Sequence, residues 1–394
     1  MLLKMLWFIP DRVYYNIQVS RIHTMAAFQL QPKGKSPLGW VLPTSQIKDK
    51  EQKMGRKVLV TGGCGYIGSV LVPILLKRGY EVRVFDKLYF GDESLINVRD
   101  RIELIPGDIR KLKPSVLEGI DGVIHLGSLS NDPTADLSPS ANRSINYEGT
   151  IKLARACKSY GISRLTFAST CSVYGFHLDS LADESLPTNP QSPYTKSKLD
   201  AEIELQKMAD DKFCPVSVRQ ATVFGFSPRM RWDIVVNAFV MHAFKTGRLD
   251  VWFGGEAWRP LVHVKDAAEA HIRCLEAEPS KVGGEVFNLV YENYRILELA
   301  HQVQKTLAEI GIDVKVDLNY DQVDNRSYKV SGERITKLLG FAPSVSVQDS
   351  VKEIAEVLQE GKYRDFDHPI YYNMRWMKLL TEIEARLKKT GRVL

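Results

Sequence analysis

A short valine-rich run that empties directly into glycines constrains this chain more than any other stretch. Residues 57–61 (KVLVT) have the length and β-branched content of a buried strand, and Thr61-Gly62-Gly63-Cys64-Gly65-Tyr66-Ile67-Gly68 follows at once, opening an apolar, helix-length stretch over 66–77. The GxxGxxG spacing fits a strand–turn–helix unit that binds a dinucleotide. Gly62 permits the tight turn, Gly65 lets the backbone approach a pyrophosphate, and Gly68 lets the helix pack on the sheet. Tyr66 and Ile67 lie in the same turn, where free N–H groups and the positive end of the helix dipole favour phosphate. The next strand-like run, 81–86 (EVRVFD), ends on Asp86, a carboxylate suited to the adenosine ribose hydroxyls. Its charge would repel a 2′-phosphate, so the pattern favours NAD over NADP, a preference that Lys87 weakens slightly.

Further strand-like runs occupy 102–106, 122–126, 164–168 and 215–219, and helix-like segments over 142–159 and 194–209 separate several of them. Strands alternating with helices of this length specify an α/β fold, a doubly wound parallel (Rossmann) sheet with helices on both faces. Pro73, inside the first helix, is expected to kink it. After about Gly225 the alternation is broken by Trp232, Trp252, Trp258, Gly254-Gly255 and Pro260, and a final helical region starts near Ser350. The expected organisation is an extension over 1–54, an NAD-binding domain over 55–225 and a smaller, mixed substrate domain over 226–394. Part of the latter, about 259–292, should return to the main sheet, notably as a strand near 287–290.

With 44% hydrophobic and 25% charged residues, the 394-residue chain can bury a sizeable core. No apolar run approaches the ~18 residues of a membrane span. The net charge of +6 is unevenly placed: residues 1–57 hold ten basic side chains against three acidic ones. The nearly neutral remainder argues against a nucleic-acid-binding surface. Cys64, Cys157, Cys171, Cys214 and Cys274 form no CxxC pair and are odd in number, as expected of reduced thiols in a cytoplasmic protein. No His/Asp/Glu cluster has metal-ligand spacing, so no metal is expected. Residues 1–54 are expected to be a disordered extension or a start assigned upstream of Met54. The alternative is an organelle-targeting peptide, because Lys4, Arg12 and Arg21 face only Asp11 in the first 24 residues.

Two further groups carry chemistry. Tyr194-Thr195-Lys196-Ser197-Lys198 (YxxxK) follows Ser192-Pro193 and places Tyr194 and Lys198 one helical turn apart on one face. A nearby ammonium favours phenolate, so the pair suits removal of a proton from an alcohol as hydride leaves its carbon. Residues 168–175 (ASTCSVYG) lie at the C-terminal end of a predicted strand, where ligands of open α/β sheets bind. A hydroxyl there, on Thr170 or Ser172, could hydrogen-bond the substrate oxygen and Tyr194.

Together these features resemble the extended short-chain dehydrogenase/reductase family, the NAD-dependent sugar-nucleotide epimerases and dehydratases. The resemblance covers about residues 57–340 and implies roles residue by residue. Asp108 and Ile109 in Gly107-Asp108-Ile109 look like the adenine-contacting strand end. Leu126 and Gly127 in His125-Leu126-Gly127-Ser128 look like the segment lining the cofactor, with Gly-Ser departing from the family's usual Ala-Ala. Asn146 matches the helix asparagine that braces the active-site strand, Lys198 would bind the nicotinamide ribose, and Thr170 falls at the catalytic Ser/Thr position. Thr222 occupies a sugar-contacting position that is Asn in many epimerases. Arg229, Arg231 and Asn237 in SPRMRWDIVVN resemble the nucleotide-binding loop, and Arg259 in WRPLVHVKD resembles a diphosphate-binding arginine. Asp324 and Arg326 are expected to face the same pocket, whereas His125 and His263 read as core histidines and His177 as no more than a neighbour of the site.

Dehydratases of the family follow the threonine with Asp-Glu, and its decarboxylases also carry a Glu there; this chain has Cys171-Ser172. The resemblance therefore implies epimerisation of a nucleotide-diphosphate sugar, at C4, by a homodimer. Tyr194 takes the C4 hydroxyl proton, hydride passes to NAD⁺, and the 4-keto sugar turns over and is reduced on its other face. Cys171 is expected as a packing residue, with an extra acid/base role as the alternative. The competing readings are a 4-keto-sugar nucleotide reductase and a non-catalytic NAD(H)-binding sensor or scaffold.

Overall fold

The computed structural model describes residues 55–175, 180–320 and 327–391. The expected extension over 1–54 lies outside these residues, as do His177, Asp324 and Arg326.

The valine-rich run forms β1 (Lys57–Thr61), followed by β2 (Glu81–Asp86), β3 (Ile102–Pro106), β4 (Gly122–His125), β5 (Arg164–Thr170), β6 (Leu181–Ala182) and β7 (Cys214–Gln220). The second half supplies β8 (Thr222–Phe224), β9 (Arg248–Val251), β10 (Trp258–His263), β11 (Val286–Leu289), β12 (Glu292–Arg295), β13 (Lys315–Leu318) and β14 (Lys329–Val330). Seven strands make one sheet in the order β3-β2-β1-β4-β5-β7-β11, with every neighbouring pair parallel. β4 and β7 are buried along their whole length, as parallel strands covered on both faces must be. Leu71, Val72 and Leu75 of helix Gly68–Lys77 cover one face together with Ala268, Ile272 and Leu275 of helix Val264–Glu276. Leu153, Ala154 and Cys157 of helix Thr150–Ser159 cover the other with Ala201 and Leu205 of helix Pro193–Met208. Each fully buried leucine contributes about 1.5–3 kcal/mol of transfer free energy. The expected doubly wound sheet is present, and the strand order reverses between β1 and β4, which opens a crevice beyond their C-terminal ends.

Four local features differ from the sequence reading. Helix Gly68–Lys77 runs unbroken through Pro73; the missing donor would have bonded Ser69, in the first turn, so little of the ladder is lost. The helical stretch expected over 142–159 begins at Pro139 and contains a π-helical turn, Ser144–Gly149. Such turns are frequent at functional sites, and this one carries Asn146. β11 takes the sheet position beside β7, so β10 is excluded from that edge and pairs in parallel with β8 and antiparallel with β12 in a separate three-stranded sheet. The final helical region is two helices, Val347–Gln359 and Asn373–Thr390, with an aromatic-rich segment between them. A second core around Trp232, Phe239, Leu249, Leu261, Leu299 and Val351 carries the β12-β10-β8 and β13-β9 sheets. Among the described residues no helix is long and apolar enough to cross a membrane.

Candidate active site

The glycine turn is shaped by contact with the next sheet strand. Gly62 has φ +72°, and a Cβ there would lie 2.7 Å from the backbone nitrogen of Gly127, so only glycine lets the turns after β1 and β4 meet. At Gly68 a Cβ would collide with the Gly62 carbonyl, which fixes how closely the helix packs. Asp86 closes the turn from the side: its carboxylate accepts the Cys64 N–H at 2.9 Å and the Leu88 N–H at 2.8 Å. Burial pushes its pKa up and these bonds oppose the shift. Asp108 is paired within the protein, since the Arg110 guanidinium grips it at 2.9 and 2.6 Å and Lys87 lies 3.8 Å away. Chiefly through Arg110, its pKa is held down at about 2.

Behind this turn, His125 bridges Thr61 Oγ1 at 2.5 Å and Thr150 Oγ1 at 2.9 Å, and burial lowers its pKa to about 3. It is a neutral, satisfied core histidine. His263 has ring nitrogen Nδ1 accepting the Lys265 N–H at 3.2 Å and meets the Phe224 ring edge-on. Asn146, expected among the cofactor contacts, does not line the cavity. The π-helical turn points it instead at the loop after β4, where its amide accepts the Leu129 N–H at 2.8 Å and donates to the Leu129 carbonyl at 2.9 Å.

The tyrosine–lysine pair is placed by a helix start written into the sequence. Ser192 Oγ accepts the Thr195 N–H and Thr195 Oγ1 accepts the Ser192 N–H, a reciprocal cap with Pro193 at the first helical position. Tyr194 and Lys198 then face the end of β5. The Lys198 ammonium donates to the Ala168 carbonyl at 2.7 Å and stands 4.7 Å from the Phe167 ring centre. Burial lowers its pKa to about 7. Burial pushes the Tyr194 phenol up; Asp132 adds to this, while a hydrogen bond with Thr170 and the charge of Arg231 oppose it. The expectation that a neighbouring ammonium makes the phenol acidic is thus overturned for the ligand-free protein: desolvation dominates, and the cation that most opposes it is Arg231. One turn further along the same stripe, buried Glu202 accepts from Ser169 Oγ at 2.9 Å and pairs with Arg219, which holds Tyr174 Oη at 2.7 Å. That buried network fixes the strand end carrying Thr170.

Cys171 takes no place on the cavity wall. Its thiol is buried, donates to the Arg219 carbonyl at 3.0 Å, and has its pKa pushed up by burial. This geometry removes the acid/base alternative and leaves packing. Ser172 does reach the wall, where its hydroxyl shares a hydrogen bond with Tyr328 Oη at 3.2 Å.

A single cavity of about 640 Å³ joins these groups to the second half of the chain, within the usual range for ligand sites. Gly62, Gly65, Tyr66, Ile67, Gly68, Asp86, Asp108, Ile109, Leu126 and Gly127 line one part, Thr170, Ser172, Tyr194 and Lys198 another, and Thr222, Arg231 and Arg259 a third. Arg231 is held by a bidentate pair with Asp233 at 2.8 and 3.1 Å. Arg259 donates to the Trp258 carbonyl at 2.8 Å. Asn237, expected as a substrate contact, is buried behind the wall and bonded to Gly225, to the Arg231 carbonyl and to Tyr66 Oη. Its amide can satisfy four loop groups only by turning away from the ligand space. Arg229 is also on the wall; burial lowers its pKa to about 9. The sequence reading missed Ser130, Asp132 and residues 372–375, all on the wall. Asn131-Asp132-Pro133 gave a turn signal after β4; nothing in Tyr372-Asn373-Met374-Arg375 marked it as part of a site.

The polar groups fit a dinucleotide: backbone N–H groups of residues 66–68 at the helix start, the Asp86 carboxylate at the end of β2, and Lys198 beside the end of β5. Residues 58–289 match the NAD dependent epimerase/dehydratase family. The chain is 29% identical to the UDP-glucose 4-epimerase of Bacillus subtilis (strain 168) over 279 residues, 63% of this chain and 81% of that protein. It is 30% identical to UDP-glucuronic acid decarboxylase 2 of Arabidopsis thaliana over 344 residues, 84% of this chain and 72% of that one. Among solved structures, the UDP-N-acetylglucosamine 4-epimerase from Methanobrevibacter ruminantium M1 in complex with UDP-N-acetylmuramic acid superposes with TM-score 0.69 at 26% identity, covering 78% of this chain and 99% of that one. The chain therefore belongs to the NAD-dependent epimerase/dehydratase family, within the extended short-chain dehydrogenase/reductases, and NAD is its cofactor.

Proposed function

We propose that the protein epimerises a nucleotide-diphosphate sugar at C4 through a transient 4-keto intermediate, keeping its NAD between turnovers. The observation that carries the reading is the composition of the wall around Thr170. Tyr194, Lys198 and the Thr170 hydroxyl converge there, while the next position is a buried thiol facing away. That wall suits moving one proton as one carbinol carbon is oxidised and reduced, and it lacks the acid beside the threonine that elimination or decarboxylation would call for.

Bound NAD supplies the hydride acceptor and donor. The chain's own groups do the rest. Tyr194 takes the C4 hydroxyl proton, Thr170 orients that hydroxyl, and the Lys198 ammonium steadies the developing phenolate. Arg231 and Arg259 offer guanidinium forks to the diphosphate, and Thr222 and Ser172 contact the sugar. Asp132, whose charge acts on Tyr194, accepts from Ser192 Oγ at the helix start. The epimerases among the relatives and structural neighbours support the substrate class. A homodimer belongs to the same reading, with exposed Ile203 of helix Pro193–Met208 at its interface; sedimentation of a monomer would remove that part.

The purified protein should convert at least one UDP-, GDP-, CDP- or dTDP-sugar into its C4 epimer with no added cofactor. Conversion only with added NADH or NADPH, giving a net reduced sugar, would replace the epimerase by a keto-sugar reductase. Intact NAD binding with no turnover of any sugar in the panel would favour the sensor.

A further inference from the structure

We propose that residues 371–376, beyond the stretch that carries the family match, form a clasp that keeps the dinucleotide in the cleft. This rests on the cofactor-retaining reading above. The segment lies on the cavity wall and ties three parts of that wall together. Trp376 donates its indole N–H to the Tyr89 carbonyl, in the loop that follows Asp86 at the end of β2. Asn373 donates from Nδ2 to Ser130 Oγ at 2.7 Å, in the loop after β4. The same amide accepts from the Arg229 guanidinium at 2.6 Å, and the Asn373 backbone N–H donates to Asp233 Oδ2 at 3.1 Å. Arg229 in turn stacks 3.6 Å above the Phe90 ring. Residues 372–375 line the same cavity as Gly65 and Asp86.

The segment is anchored where the second wall is built. The Trp232 N–H donates to the Tyr371 carbonyl at 3.0 Å, and its buried ring meets Tyr363, Phe366 and Tyr371 edge-on at 5.3, 5.9 and 6.3 Å. Trp232 lies between Arg231, on the cavity wall, and Asp233, which caps Asn373. Asn373 is also the only buried residue of helix Asn373–Thr390, with Met377 partly buried one turn on, so the deepest hold on this helix is at its start. A ligand lying beneath such a bridge leaves only after bridging bonds open, and removing one such bond speeds release by roughly 2- to 12-fold.

The test is exchange of bound, isotopically labelled NAD against excess unlabelled NAD in the full-length protein. Wild type should exchange slowly; Asn373→Ala, which loses two bridging bonds, and Trp376→Phe, which loses one, should each exchange at least twofold faster, with Lys378→Ala, on the exposed helix surface, like wild type. Trp376→Phe keeps an aromatic ring at that position and loses the indole donor, so it reads the clasp even if Asn373→Ala folds poorly. Slow exchange in wild type and in both variants would overturn the clasp and leave the epimerase reading standing. Rapid exchange in wild type would overturn the retained-cofactor reading, and the clasp with it.

Discussion

Tyr194 sits in a site that resists its ionisation. Burial raises the phenol pKa, and the groups that oppose the rise are a hydroxyl and an arginine. If Tyr194 is the base proposed above, proton removal requires charge brought close to the ring when the cleft is filled. Tyr194→Phe should leave bound NAD unchanged and lower turnover by about 10²–10⁴-fold; undiminished turnover would remove Tyr194 as the base. Lys198 gives a second prediction, on stability. Its pKa falls from 10.5 to about 7 through burial. Between those values the unfolded chain carries a proton that the folded chain lacks, so stability rises with pH, by up to about 1.4 kcal/mol per unit. Below about pH 7 both states are charged and the full cost is present. Lys198→Met should thus stabilise the NAD-free protein at pH 7, with a smaller gain at pH 9. Urea unfolding at the two pH values measures this, and a gain independent of pH would contradict a buried, titrating ammonium. At this scale residue types were readable from the sequence but orientations were not. Asn146, Cys171 and Asn237 each stand where the sequence placed them in the chain, yet backbone groups claim their polar atoms from behind the wall.

The elements that hold the site differ in how openly their sequences announce them. β1 and the glycine turn follow from local pattern, because a positive φ and a close backbone contact leave glycine no substitute at position 62. The start of helix Pro193–Met208 is equally local: Ser192, Pro193 and Thr195 make a cap from three residues. Ser192→Ala should cost about 1 kcal/mol of stability, and the shifted helix start should also lower turnover through Tyr194. Denaturant midpoints and turnover measured together check this; a variant as stable as wild type would show that the cap is not what fixes the helix. The π-helical turn has no such signature, since it arises when Asn146 is drawn to Leu129, seventeen residues earlier. The tyrosines before helix Asn373–Thr390 were equally silent, because what gives them meaning is Trp232, far away in the chain.

Taken whole, the molecule divides labour between a sheet that local pattern specifies and a second half that tertiary contact specifies. The seven parallel strands fix where a ligand must lie, at the crevice beyond β1 and β4. Arg229 and Arg231 reach that crevice from a loop and Arg259 from β10, and the placement of both depends on a separate core around Trp232. That is why the cofactor side of the cavity was more fully readable than the side expected to hold the sugar. Epimerisation by internal oxidation and reduction makes one demand on the whole assembly: hydrogen removed from C4 must return to C4 of the same sugar without meeting solvent. A nucleotide sugar deuterated at C4 tests this directly, with the product examined by mass spectrometry and NMR and no cofactor added. An inverted product that retains its C4 deuterium is the predicted result. Loss of the deuterium to water, or no product until reduced cofactor is supplied, would contradict it.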